Sequence, residues 1–186
     1  MTMRLLTGPT LQIIATADAR VSARIDDTRF DADIPRWLAI ARAMAEQYCG
    51  QFFAEQTWRE DLDDFPAADD GFKVPFASSV EITYWNGSAW ASLSTPAQFL
   101  WVSDQCTCVA PVLGTSWPSL PTVAVGPRVR IDMTAGAASI GAVPDAVKEF
   151  AIAHVALWAD ENRAASPQDL KVVPWLLAGL DPLRVW

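Results

Sequence analysis

The stretch from Ile34 to Pro66 constrains this chain most, because the hydrophobic period changes inside it. Ile34, Trp37, Leu38, Ala41, Ala45 and Tyr48 recur at the spacing of one side of a 3.6-residue helix, with Arg36, Arg42, Glu46 and Gln47 mostly elsewhere. One face should pack and another stay wet. Asp31 or Asp33 stands where a side chain can cap the helix start, Pro35 is tolerated that early, and Gly50 can supply the left-handed residue that ends the helix. Past Gly50 the period shifts towards two, through a tryptophan-bearing strand into the acidic turn DLDDFP.

β signals continue from Gln56 to Gly136. Val80, Ile82 and Tyr84 alternate with Glu81, Thr83 and Trp85, and Asn86-Gly87 then fits a two-residue hairpin, with AWASL as the return strand. After QFLWV and a Pro-rich connection, Val123, Val125, Val129, Ile131 and Met133 keep one parity through Gly126-Pro127. This predicts one kinked strand or two collinear ones, with Arg128, Arg130 and Asp132 opposite. Short strands separated by turns favour an antiparallel sandwich or small barrel.

Helical signals flank this region. Before it, TADARVSARIDD reads as a short helix capped by Thr16, with Asp18 in its first turn and Ala17, Val21 and Ile25 as its apolar line. Beyond it, Pro144 opens a helix whose Val147, Phe150, Ala151, His154, Leu157 and Trp158 make an apolar face to match the first long helix. A short apolar helix broken by Gly179 and Pro182 ends the chain. The expected fold class is therefore α+β: a helical bundle built from the N- and C-terminal parts (16–55 and 137–178), an inserted β domain (56–136), an N-terminal arm (1–15) without a clear period, and an apolar tail (179–186).

At 186 residues the chain fits one domain that buries roughly 70% of its unfolded surface. With 51% hydrophobic and 19% charged residues it is no disordered tail, and nine tryptophans are more aromatic surface than one small core hides. No apolar run approaches the about 18 residues of a membrane span, and the first residues lack a good cleavage site, so the sequence reads as soluble and without an export signal. A formal charge of −8 argues against a surface built to grip nucleic-acid phosphates.

Chemistry finds little support. The only histidine, His154, sits mid-helix without a flanking nucleophile motif and reads as a packed or hydrogen-bonded residue, and no Gly-rich phosphate loop is present. Cys49, Cys106 and Cys108 form an odd set. Cys106 and Cys108 share a face if they lie on a strand, but no second Cys or His pair completes a zinc site, so they read as buried small apolar residues. The carboxylates Glu60, Asp61, Asp63, Asp64, Asp69 and Asp70 do not have the spacing of a calcium loop and read as a solvated acidic loop, with an acid–base hydrolase as a remote alternative. No catalytic residue, cofactor or metal is expected. Exposed tryptophans such as Trp85 and Trp90 leave a glycan-binding β module, as part of a tail or fibre component, as the alternative function.

The ordered set of pieces resembles the long form of the head-to-tail connector, or adaptor, family of tailed phages and phage-derived gene transfer agents. The resemblance rests on the short helix with Arg24, the Asp33–Gly50 helix, QTWREDLDDFP, KVPF before SVEITYW, Trp117-Pro118, the strand ending MTAG, Val143-Pro144, and the closing LLAGLDPLRVW. It spans nearly the whole chain from residue 16. The departures are Ser22 and Ala23, where the family usually has histidine and leucine, and Asp160-Glu161-Asn162-Arg163, where Tyr-Glu-x-Arg is usual.

What the resemblance implies is a non-enzymatic structural subunit of a virion or phage-like particle, made in the bacterial cytoplasm. It implies a ring of about twelve copies closed by heterologous interfaces, beneath the portal protein and above a stopper or tail-side protein. DNA would pass through without specific binding, and no membrane is involved. In that family the C-terminal segment reaches the portal, which makes Leu180, Leu183, Arg184, Val185 and Trp186 the candidate partner-binding residues. The alternative is that Leu183 and Trp186 fold back to cap their own subunit, since either burial hides the same side chains.

Overall fold

The change of period at Gly50 separates two kinds of structure, and the chain divides into two units: Met1–Pro9 with Glu55–Gly136, and Thr10–Ala54 with Ala137–Trp186. The structure, a computed structural model, describes residues 2–26, 28–122, 126–160 and 173–185. Its helices and antiparallel sheets make the fold α+β, as the sequence predicts.

Among its described residues the first unit holds eight strands: β1 (Thr2–Thr7), β2 (Gln56–Leu62), β3 (Gly71–Phe72), β4 (Ala77–Trp85), β5 (Trp90–Leu93), β6 (Phe99–Ser103), β7 (Thr107–Pro111) and β8 (Val129–Ala135). They form two antiparallel sheets, β1-β2-β8-β4-β5 and β3-β7-β6. In β8, Val129, Ile131, Met133 and Ala135 are fully buried, while Arg130, Asp132 and Thr134 alternate on the half-buried face. Such a strand can be paired on both sides, and β8 lies between β2 and β4. Its expected upstream extension, Val123 and Val125, lies outside the described residues. Residues 2 to 7, which carry no period, pair as an edge strand on β2.

One turn differs from expectation. Trp85 pairs with Trp90, so the β4–β5 loop has four residues, Asn86 to Ala89, rather than two. The Asn86 carboxamide oxygen accepts the backbone N–H groups of Ser88 and Ala89 and the Ser88 hydroxyl. This local side-chain turn competes with the tight hairpin, and only Gly87 takes a positive φ, 103°.

The second unit contains α1 (Thr16–Ser22), α2 (Ile34–Cys49), α3 (Asp145–Ala159), α4 (Pro174–Leu177), and 3-10 turns at Ile140–Ala142 and Ala178–Leu183. From α2 the core takes Ile34, Trp37, Leu38, Ala41, Ala45 and Cys49. From α3 it takes Val147, Phe150, Ala151, His154, Val155 and Trp158. The two predicted faces therefore meet. Tyr48 and Leu157 rotate to the margin, and Cys49 and Val155 take the buried places. Ile13 and Ile14 join this core from the chain ahead of α1.

The helix starts are plainer than expected. Thr16 makes no cap bond: its hydroxyl donates to the Gln12 carboxamide oxygen, and Ala15 occupies the N-cap. On α1 the buried residue is Ala19, while Val21 is 74% exposed and Ala17 is exposed, so the predicted apolar line faces outward along the helix, and its last member, Ile25, packs against the core beyond the helix end. Asp33 holds the N-cap position of α2 without bonding its amides, and its carboxylate pairs instead with Arg36 at 3.2 Å. The last α-helix is short and ends at Leu177, and Gly179 and Pro182 lie in the 3-10 turn Ala178–Leu183 that follows it. The fixed φ of proline suits that geometry.

Gly50 ends α2 in the left-handed region (φ 71°), its N–H bonded to the Glu46 carbonyl. A β-carbon there would strain the backbone even though the space beside Val185 is ordinary. Gly50→Ala should therefore lower stability by about 1 kcal/mol in chemical denaturation.

Candidate functional site

The residues singled out in the tail are held by the last turn of α2. Helices leave their final carbonyls without internal partners. Here the Cys49 carbonyl accepts the Val185 N–H at 2.8 Å, and the Leu183 carbonyl accepts a short hydrogen bond from the Gln51 carboxamide. The Tyr48 hydroxyl donates a short hydrogen bond to Asp181, and the Arg184 guanidinium lies 4.8 Å from the centre of the Tyr48 ring. That bond to Asp181, which is lost if the phenol ionises, raises the Tyr48 pKa first, with some contribution from desolvation.

The tail residues do not stand alike. Leu180 is fully buried in the core of the helical unit. Leu183, Arg184 and Val185 are half-buried, and Trp186 lies outside the described residues. Beneath them, burial pushes the Cys49 thiol up to about 11, so it stays neutral. A peptide that caps α2 from inside and shows three half-covered side chains outside can anchor and present at once.

In the sheet unit, motifs far apart in sequence converge. The Phe65 ring stacks on Trp117 (4.8 Å, 6° between planes) and touches Tyr84 at 5.8 Å, while the Trp117 indole N–H donates to the Pro66 carbonyl at 3.2 Å. Arg128 fastens the same turn, its Nε donating to the Asp63 carbonyl and its Nη1 to the Pro121 carbonyl. The acidic loop is thus a built corner. Two of its carboxylates serve the backbone: exposed Asp64 accepts from the Phe65 N–H and half-buried Asp70 from the Ala67 N–H.

Of the other acidic residues, Asp63 and Asp69 are exposed, and Glu60 and Asp61 are inward or occupied. Glu60 is buried, and Asp61, on the opposite parity of β2, lies between Arg4 (3.4 Å) and Arg130 (3.3 Å). The Arg130 approach is an ion pair without hydrogen-bond geometry. Beside them Arg59 grips Asp132 with two bonds of 2.6 Å, and this raises the Arg59 pKa further. Trp90 carries the Arg130 guanidinium 3.7 Å from its ring centre and meets Trp85 edge-on at 6.0 Å. One face of the Trp90 ring is therefore covered by a cation. Among the described residues no group of three or more His, Cys, Asp or Glu could hold a metal ion, and no helix is long and apolar enough to cross a membrane.

The fold is one already seen in assembled particles. A chain in a structure described as the virion of a native gene transfer agent (GTA) particle matches with a TM-score of 0.73 at 20% identity, covering 100% of this chain and 96% of that one. Chains from the neck of an empty GTA particle computed with C6 symmetry (TM-score 0.70, 23% identity) and the neck of a native GTA particle computed with C12 symmetry (0.70, 21%) match over the same shares. No family model and no curated protein matches the chain. At these identities the likeness is one of fold, over the full length of the chain.

The expectation for Cys106 and Cys108 changes, while that for His154 holds. Cys106 is exposed and Cys108 half-buried, not packed inside: Ser103 pairs with Thr107, which puts Cys106 in the β6–β7 turn and Cys108 on the outward parity of β7. His154 is fully buried. Its Nδ1–H donates to the Phe150 carbonyl at 2.9 Å, and its Nε2 accepts the Val173 N–H at 3.3 Å. These partners fix the neutral tautomer, and desolvation lowers the pKa. The Phe65–Trp117 corner was missed in the sequence because it joins residues more than fifty positions apart, whereas the fold-back of the tail stood there as the alternative to docking, without α2 as its receptor.

Proposed function

We propose that this chain is a structural head-to-tail adaptor: a subunit that closes into a ring beneath the portal of a phage-like particle and joins the DNA-filled head to the tail. The observation that carries this reading is the full-length match of fold to chains of GTA necks, one of them computed with C12 symmetry. Ring closure needs two different faces on each subunit. Large apolar side chains are exposed in both units, among them Val102 (71%) and Trp175 (70%), and suit burial against neighbours. A net charge of −8 suits a channel wall past which DNA slides, because clustered lysines and arginines would hold phosphates. Portal contact falls to Leu183, Arg184, Val185 and Trp186, with Leu180 as the internal anchor of the same peptide.

The test is assembly. Purified protein mixed with its cognate portal should give a ring coaxial with the portal, with about twelve subunits in cryo-electron micrographs. A chain that sediments as a monomer with and without the portal, together with particles that lack it and still join heads to tails, would remove the reading.

A further inference from the structure

Among the described residues, a reactive arrangement that the adaptor reading leaves unused is at the tip of the β6–β7 hairpin. Cys106 Sγ lies 3.6 Å from Cys108 Sγ, on the exposed side of the small sheet. Gly71 makes room for the pair: it stands opposite Cys108 in the ladder, and a β-carbon there would sit 2.9 Å from Cys106 Sγ. The turn that holds Cys106 is fixed by bonds on both flanks. Asp104 N–H donates to the Cys106 carbonyl, Phe76 N–H to the Asp104 carbonyl, and Ala77 N–H to the Ser103 hydroxyl. Ser103 in turn shares a hydrogen bond with Thr107, whose hydroxyl donates to the Val74 carbonyl. The sulfurs are neighbours because the backbone keeps them so.

We propose that Cys106 and Cys108 form a reversible dithiol–disulfide site, oxidised by exchange with a small-molecule disulfide. The thiolate of exposed Cys106 attacks one sulfur of that disulfide, forming a mixed disulfide and releasing the first small thiol. Cys108 then gives its proton to solvent and attacks Cys106 Sγ, releasing the second. Two protein thiols are oxidised and one small disulfide is reduced to two thiols. The second step is intramolecular and starts from sulfurs already in contact, so it outruns capture by another chain. Desolvation first, and then the hydrogen bond with Cys106, raise the Cys108 pKa, which suits it to the later, resolving role. Closure would tie the turn to β7, the central strand of the three-stranded sheet, and stiffen that end of the β6–β7 hairpin. None of this depends on the ring.

The full-length protein is equilibrated, without denaturant, in mixtures of oxidised and reduced glutathione. Free thiols are then trapped with N-ethylmaleimide, and intact mass is read. The expected product is a chain two hydrogens lighter, free of cross-links between chains, with buried Cys49 as its remaining thiol. In Cys108→Ser the second step is gone, and the glutathione adduct on Cys106 should be on the order of tenfold more abundant than in the natural chain. A natural chain that accumulates the glutathione adduct, cross-links to a second copy, or keeps both thiols in the mixtures that oxidise glutathione-reactive controls would overturn the proposal.

Discussion

Leu180→Ala should lower the unfolding free energy of the helical unit by about 3 kcal/mol, because a fully buried leucine is replaced by a cavity that its neighbours fill only in part. The prediction separates anchoring from docking within one heptapeptide. Deleting residues 184 to 186 leaves Leu180 in place. It removes the Val185 bond to the Cys49 carbonyl, worth about 1 kcal/mol, and the Arg184 contact with Tyr48, worth roughly 0.5–1 kcal/mol. That variant should stay folded in urea titrations yet fail to co-sediment with the portal, whereas Leu180→Ala should bind the portal whenever it is folded. If the deletion unfolded the unit and Leu180→Ala left stability unchanged, the division of labour would be reversed.

The sequence shows α2 and α3 well because each is long enough for its period to fix a face, and in each stripe a single buried position differs from expectation. α1 spans seven residues, too few for that. Its alanines are interchangeable as packing groups, so a line through Ala17 and Val21 and a line through Ala19 and Ala23 look alike until a partner is present. β8 is legible because a strand paired on both sides alternates strictly, whereas β1, an edge strand with Leu5 and Leu6 both exposed, carries no alternation to read. The tail was ambiguous for a different reason. Whether an apolar peptide folds back or docks elsewhere depends on whether its own subunit offers a receptor, and that receptor is the carbonyl end of a helix 130 residues upstream, closed by the left-handed turn at Gly50. The cysteines misled because residue type favours burial while the ladder register places Cys106 in a turn.

His154→Ala should cost about 4 kcal/mol: it empties a site packed between Phe150 and Trp158 and leaves the Val173 N–H without its acceptor. The same ring gives the helical unit a particular response to acid. Burial holds its pKa in the folded chain below the ordinary 6.5, and a second ring proton would point at the Val173 N–H. Above the unfolded value both states are neutral and the full contribution is present. As pH falls through that value the unfolded chain takes up a proton that the folded chain refuses, and stability declines until the folded pKa is reached. Denaturation at about pH 7.5 and about pH 5.5 should therefore show a loss of stability in the natural chain that shrinks in His154→Leu, which keeps the bulk and removes the titration. Equal losses in the two proteins would assign the acid sensitivity to carboxylates elsewhere, and leave the histidine as packing alone.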